Sequence, residues 1–200
     1  MSASSPHRPV PASLRRARLS DLAALLALEQ NAFTTDQLSR RSLRHFIVAP
    51  NATLMVAVEA SKIAGYILVL NPPRSRLARV YSIAVDHRFR GRGLGPLLLA
   101  AAERAARRRR CRAVRLEVHE HNTRAIARYE KAGYRLFAKR RNYYNDHATA
   151  LRFEKPLGRR RPGSGRDGRD GPAQGSARRR GGFRGGQRGR HSRHVVCFRL

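Results

Sequence analysis

The sequence predicts an α/β (α+β) domain over residues 14–157, with strands and helices alternating along the chain. Three observations predict it. Apolar residues recur in turn at strand spacing and at helical spacing between Leu14 and Leu157. A glycine-rich turn, Arg90 to Gly95, joins a strand-like run to a helix-like one. From Gly158 onward the chain turns to Gly, Arg, Pro, Ser and Gln, with almost nothing to bury.

The elements follow in order. Leu14–Arg18 is a first strand. Ser20 caps a helix with Asp21 in its first turn and Leu22, Leu25, Leu26 and Glu29 at helical spacing. Thr35 or Asp36 opens a second helix through about Phe46. Thr53–Glu59 and Ile63–Leu70 form a hairpin across Ala60-Ser61-Lys62. Arg79–Val85 is a strand, Gly93–Arg109 a long helix and Ala113–Val118 another strand. Asn122–Ala132 is a helix that starts at an Asn cap and ends at Gly133, a favoured helix-stop residue. Tyr134–Lys139 and Ala148–Glu154 complete the set, giving the order β-α-α-β-β-β-α-β-α-β-β. Residues 1–13 read as a flexible N-terminus, and residues 158–200 as a disordered Arg/Gly-rich tail.

Composition narrows the function. The longest apolar runs, such as Ala23–Leu28 and Pro96–Ala102, are too short to span a membrane. The N-terminus shows no apolar stretch behind its charges, so a cytoplasmic protein with no membrane partner is expected. Two distant cysteines, Cys111 and Cys197, make neither a disulfide framework nor a metal quartet, and no metal is expected. Cys111 reads as a half-buried thiol without a chemical role. The net charge of +30 attracts polyanions such as RNA or the phosphates of a nucleotide. The RGG pieces, Arg180–Gly182 and Arg184–Gly186, suit non-specific RNA contact, and an inert tail has the same composition.

The turn Arg90-Gly91-Arg92-Gly93-Leu94-Gly95, followed by Pro96, places backbone N–H groups at a helix N-terminus. Free amides and the helix dipole together favour a pyrophosphate, and glycine lets the backbone come close. Arg90 and Arg92 add charge. The glycines are spaced G-x-G-x-G, which is not the dinucleotide-binding G-x-G-x-x-G, and no Lys-Ser/Thr pair makes a Walker loop.

Arg90-x-x-Gly93-x-Gly95, after a strand reading Tyr-Ser-Ile-Ala-Val, resembles the coenzyme A motif R/Q-x-x-G-x-G/A of the GNAT N-acetyltransferases. Leu116-Glu117-Val118, then Asn122, Ala125, Ala127, Tyr129, Gly133 and Tyr134, is similar to the second half of that signature. Arg141-Asn142-Tyr143-Tyr144 resembles the ribosomal-protein-alanine and related N-terminal acetyltransferases. The resemblance covers residues 14–157. It implies a mixed, mostly antiparallel twisted sheet flanked by about four helices, and acetyl-CoA as co-substrate.

It also implies a set of roles. The acetyl group passes directly to a primary amine in a ternary complex. Glu117 serves as base, and Tyr129 as proton donor to the leaving thiolate. Ile83, Ala84 and Val85 offer backbone groups to the pantetheine arm, and Asn122 hydrogen-bonds it. Arg90, Gly91, Arg92, Gly93, Leu94, Gly95 and Pro96 hold the diphosphate. Read from the residues alone, Glu117 lies mid-strand with its side chain opposite those of Leu116 and Val118. A salt-bridged glutamate on a solvated face reads the same way, and Tyr129 at helical spacing from Ile126 is also a core pattern. Glu120, His119 and His121 are expected in loop roles.

The expected acceptor is the N-terminal α-amine of a protein or peptide, a ribosomal one included. Tyr143, Tyr144 and the Asn145-Asp146 turn would line one wall of its slot, and Phe33 to Arg41 the other. The short Asn145-Asp146-His147 connection and the basic stretch Leu38 to Arg44 depart from the close family. A free amino acid, a polyamine, an antibiotic amine and a lysine side chain therefore stay open as acceptors. The alternative from another class is a cationic RNA- or ribosome-binding protein with this domain as scaffold. The trio Glu117, Asn122 and Tyr129 speaks against it, since a scaffold has no chemical use for them.

Overall fold

The computed structural model describes residues 12–33, 37–144, 146–158 and 198–199. Strands β1 (Ser13–Arg16), β2 (Ala52–Glu59), β3 (Lys62–Leu70), β4 (Leu77–Val85), β5 (Ala113–His119), β6 (Arg135–Arg140) and β7 (Ala150–Pro156) form one sheet in the order β1-β2-β3-β4-β5-β7-β6. Helices α1 (Leu22–Ala32), α2 (Arg40–Val48), α3 (Leu94–Arg108) and α4 (Thr123–Lys131) flank it. The element order is the one expected. Every neighbouring pair on this path is antiparallel except β4 and β5. Their parallel pairing requires a crossover, which α3 supplies.

The two faces of the sheet bury different cores. On one, Ile67, Val69, Ile83, Val85, Leu116 and Val118 meet Leu98, Leu99 and Ala102 of α3 and Ala125 and Tyr129 of α4. On the other, Leu54, Val56, Tyr66, Leu68 and Ala84 meet Leu22, Leu25 and Leu28 of α1 and Leu43 of α2. The alternation of each strand between these faces is the period-2 signal in the sequence made physical.

Two helix starts differ from the expectation. A 3-10 turn, Leu19–Asp21, precedes α1, and Ser20 lies inside it. The Asp21 carboxylate accepts from Arg18 N at 2.7 Å and from both terminal nitrogens of Arg15 at 2.7 and 2.8 Å, so this acid closes the entry that Ser20 was expected to cap. These bonds hold the Asp21 carboxyl below its ordinary value. Helix α2 starts at Arg40, capped by Ser39, whose hydroxyl accepts from Ser42 N at 3.1 Å. Thr35 and Asp36 lie outside the described residues, as do residues 1–11 and most of the tail.

A bulge in β4 positions the site. Opposite β3, Leu68 pairs with Ser82 but Val69 with Val80, leaving Tyr81 as an extra residue. Before it, Ala78 and Val80 face the α3 side while Tyr81 packs toward α1 and α2. After it, Ile83 and Val85 take over the α3 side and Ala84 the other. β4 pairs with β5 only along Leu77–Arg79, so the two strands separate beyond that point. Gly65 of β3 backs this stretch closely, and a Cβ there would lie 2.8 Å from the Ala84 carbonyl oxygen.

One strand has no counterpart in the sequence reading. Phe198–Arg199 (β8) runs parallel to β4, with Phe198 opposite Ile83 and Arg199 opposite Ala84. β3 occupies the other edge of β4 at those residues, so β8 lies on the edge that turns away toward β5.

Candidate active site

Helix α3 is where an anion site should form, and the backbone explains it. Gly91 (φ 79°) and Gly93 (φ 74°) both take the left-handed conformation that favours glycine, and Gly93 caps α3. The first turn of any helix leaves its N–H groups without intrahelical acceptors. Pro96 sits in that turn, where its missing N–H costs nothing. The space in front of Gly91 and Gly93 is open, with no atom within 4 Å of a built Cβ. Val85, Phe89, Arg90, Gly91, Gly93, Leu94, Gly95 and Pro96 line a cleft there, joined by Arg128 of α4. A concave run of amides between two guanidiniums fits a diphosphate. Acetyl-CoA would place that group here, with its arm along the β4 edge that turns away from β5.

Arg92 departs from its expected role. Its guanidinium is engaged by Glu59 and lies 5.2 Å from the Phe89 ring centroid, and it does not line the cleft. Arg128 takes the place the sequence reading gave to Arg92. Its only sequence signal was its position beside Tyr129. Asp86 steadies the approach to the loop, accepting from Arg88 N at 2.9 Å and from the Arg88 guanidinium at 2.6 Å. That hydrogen-bonded guanidinium holds the Asp86 carboxyl below its usual range.

The expected catalytic pair approaches the β4–β5 opening from opposite faces. Tyr129 is buried on the α3/α4 side, with Phe153 and Tyr134 rings 6.0 and 5.8 Å away. It also borders an apolar groove shared with Gly95, Pro96, Leu99 and Arg128, which places it beside the diphosphate loop. Burial pushes its phenol well above the ordinary value, so it stays protonated and able to donate.

Glu117, on β5, points away from the core that holds Leu116 and Val118. Its Oε2 accepts from Arg79 Nε at 2.8 Å, and its Oε1 lies 3.4 Å from Arg152 Nε. The carboxylate is thus both the expected candidate base and a member of an ion-pair cluster. Arg79 extends the cluster, its Nη2 donating to Tyr143 Oη at 2.9 Å. Burial pulls the Arg79 guanidinium down, and Glu117 and Tyr143 reverse that and raise it.

Asn122 caps α4 as expected, accepting from Ala125 N at 3.1 Å. Tyr143 faces this cluster, but Tyr144 does not share the position. It is 5 % exposed and packs against Ala150 and the His119 ring, 4.7 Å away. Tyr144 thus supports the end of the slot and does not line it. Phe33 and Leu38 are likewise core residues, not slot wall. Asn145 lies outside the described residues. His119 contacts Asp146 Oδ2 at 2.9 Å and Glu120 accepts from Thr149 N, so both tie the loop together as expected. Cys111 is buried against Asn71, and desolvation raises its thiol above its ordinary value, away from nucleophilic use. Among the described residues no cluster of His, Cys, Asp and Glu could hold a metal ion, and no helix is long and apolar enough to cross a membrane.

A profile of the acetyltransferase (GNAT) family matches residues 20–134. An N-alpha-acetyltransferase from Sulfurisphaera tokodaii is 28 % identical over 155 residues, spanning 72 % of this chain and 92 % of that protein. A [ribosomal protein bS18]-alanine N-acetyltransferase from Salmonella typhimurium is 42 % identical over 83 residues, 40 % of this chain and 56 % of that one. The crystal structure of the ribosomal-protein-S18-alanine N-acetyltransferase from Escherichia coli superposes with a TM-score of 0.66 at 26 % identity, covering 73 % of this chain and 94 % of that chain.

Proposed function

This chain belongs to the acetyltransferase (GNAT) family, and on that premise we propose that it acetylates the N-terminal α-amine of a protein or peptide in the cytoplasm. Acetyl transfer from acetyl-CoA is the family's reaction. The single observation that supports this chain's own use of it is the opening between β4 and β5. One side offers the β4 edge at Ile83–Val85, which β5 leaves and the two-residue β8 meets at Ile83 and Ala84; its far end leads to the amides of α3, and Glu117 and Tyr129 flank it. Similarity to proteins named for N-terminal and ribosomal-protein-alanine acetylation favours an α-amine acceptor, a ribosomal one among them.

The roles follow from position. Arg90, Arg128 and the amides of residues 91–95 bind the diphosphate. The β4 edge at Ile83–Val85, once β8 leaves it, and Asn122 hold the arm, in the manner of an added strand. Glu117 takes the proton from the incoming ammonium, directly or through water, so that a neutral amine attacks the thioester. The Val85 amide faces the carbonyl oxygen as charge develops on it. Tyr129 donates to the departing sulfur.

Thiol release from acetyl-CoA, measured with a panel of short peptides, free amino acids and polyamines, tests this reading. Turnover with peptides is expected. Turnover confined to small amines would overturn the acceptor assignment, and absence of any acetyl-CoA binding by calorimetry would overturn the site.

The position of β8 adds a second expectation. Phe198–Arg199 and the cofactor arm address the same two residues of β4. A chain ending at Gly158 has this edge free, and its KM for acetyl-CoA falls by about two- to fivefold, the factor by which partial self-occupancy lowers apparent affinity. A rise in KM on truncation would show that the arm lies elsewhere.

A further inference from the structure

The face of the sheet around Glu117 is not electrostatically neutral. Helices α1 and α2 pack on the β2–β4 half of this face, while β5, β7 and β6 present Arg115, Glu117, Arg152, Glu154 and Arg140 together with the Phe137 ring. Arg79 of β4, Arg115 of β5 and Arg152 of β7 are 34, 34 and 35 % exposed, and Arg140 of β6 is exposed outright. The sheet register places Arg79 opposite Arg115, and Arg152 opposite both Glu117 and Ala138. Among the described residues, two carboxylates answer these four guanidiniums: Glu117, shared by Arg79 and Arg152, and Glu154, which accepts from Arg115 at 2.5 Å.

The cations are also held in place. Arg115 and Arg152 lie over the Phe137 ring, 4.7 and 5.0 Å from its centroid, and Arg140 lies 5.2 Å from the Tyr143 ring centroid. Stacking fixes the plane of a guanidinium while leaving N–H groups at its edge. Each guanidinium carries five N–H donors, more than the bonds these pairs use.

Resting on the α-amine reading above, we propose that this face selects an acidic acceptor, a protein N-terminus with aspartate or glutamate within its first residues. An extended chain advances about 3.3 Å per residue, so side chains one to three positions from the amine lie over this patch when the amine is at Glu117. A carboxylate there finds a preorganised donor set, and a lysine or arginine there meets like charge. The same cations disfavour a protonated amine next to Glu117 and so favour its attacking, neutral form.

The test uses the full chain and three peptides with the same first residue, followed by Glu-Glu, Gln-Gln or Lys-Lys. The expected order of kcat/KM is Glu-Glu, Gln-Gln, Lys-Lys, with at least about a tenfold span that narrows in high salt. Arg140→Gln and Arg115→Gln, neither of which touches Glu117, each reduce the Glu-Glu advantage and leave the Gln-Gln rate nearly unchanged. Equal rates on all three peptides, or preference for Lys-Lys, overturn the charge selection while the α-amine reading stands. Acetylation of small amines with no peptide turned over overturns both.

Discussion

Glu117→Gln lowers kcat about 10²- to 10³-fold at neutral pH and much less at pH ~9, within the range expected for loss of a general base. An α-amine titrates near pH ~7.7–8, so at neutral pH most of it is ammonium and needs a proton acceptor. At higher pH it arrives deprotonated and the glutamine costs little. The substitution keeps size and an acceptor oxygen, so Arg79 retains a partner, while Arg152 shares a neutral group. A thermal midpoint near that of the parent would show the fold intact. A pH-independent loss would assign Glu117 to holding the arginines and remove it as base.

The second large effect concerns Glu29, which is 1 % exposed and far from the reacting groups. Its Oε1 accepts from Leu38 N at 2.7 Å, and its Oε2 from the Tyr66 hydroxyl, which also meets Ser82 Oγ at 2.6 Å. This chain of bonds ties the segment entering α2 to β3 and to the bulged part of β4. Glu29→Ala leaves a buried N–H and a phenol short of acceptors and opens a cavity. The expected cost is about 3 kcal/mol, read by denaturant unfolding. Glu29→Gln keeps an acceptor and removes the cost of burying charge, so its effect stays within about 1 kcal/mol.

The pH dependence has a definite sign. Burial raises the Glu29 carboxyl above its ordinary value, against the opposing bonds from Tyr66 and Leu38. The folded state therefore holds the proton more tightly, and the stability this contributes is lost as pH rises through the raised value. As pH rises above the ordinary carboxylate range, the parent loses more stability than Glu29→Gln. Parallel curves for the two proteins would contradict this account.

What the sequence made legible was local. The glycine loop and the start of α3, the mid-strand glutamate and the Asn-capped α4 each declare themselves within a few residues. What stayed hidden depends on residues distant in the chain. Arg79 and Arg152 meet Glu117 across 38 and 35 positions, and Tyr66 meets Glu29 across 37, separations at which no spacing rule operates. Arg128 stands at the cleft in place of Arg92 for the same reason, because Glu59 claims Arg92 only once β2 and the loop are neighbours. The adjacent Tyr143 and Tyr144 lie in the turn after β6, where no alternation rule operates, and the packing of Tyr144 against Ala150 and His119 decides which is buried.

The supernumerary residue at Tyr81 is a phase slip in an otherwise regular pleat, and its effect depends on counting and not on side-chain chemistry. Many residues at position 81 would keep the wedge. Deleting one residue there would bring β4 back into step with β3, leave Ile83 and Val85 on the side they already occupy, and let β4 run on beside β5. The result would be a tidier sheet with nowhere to seat a thioester.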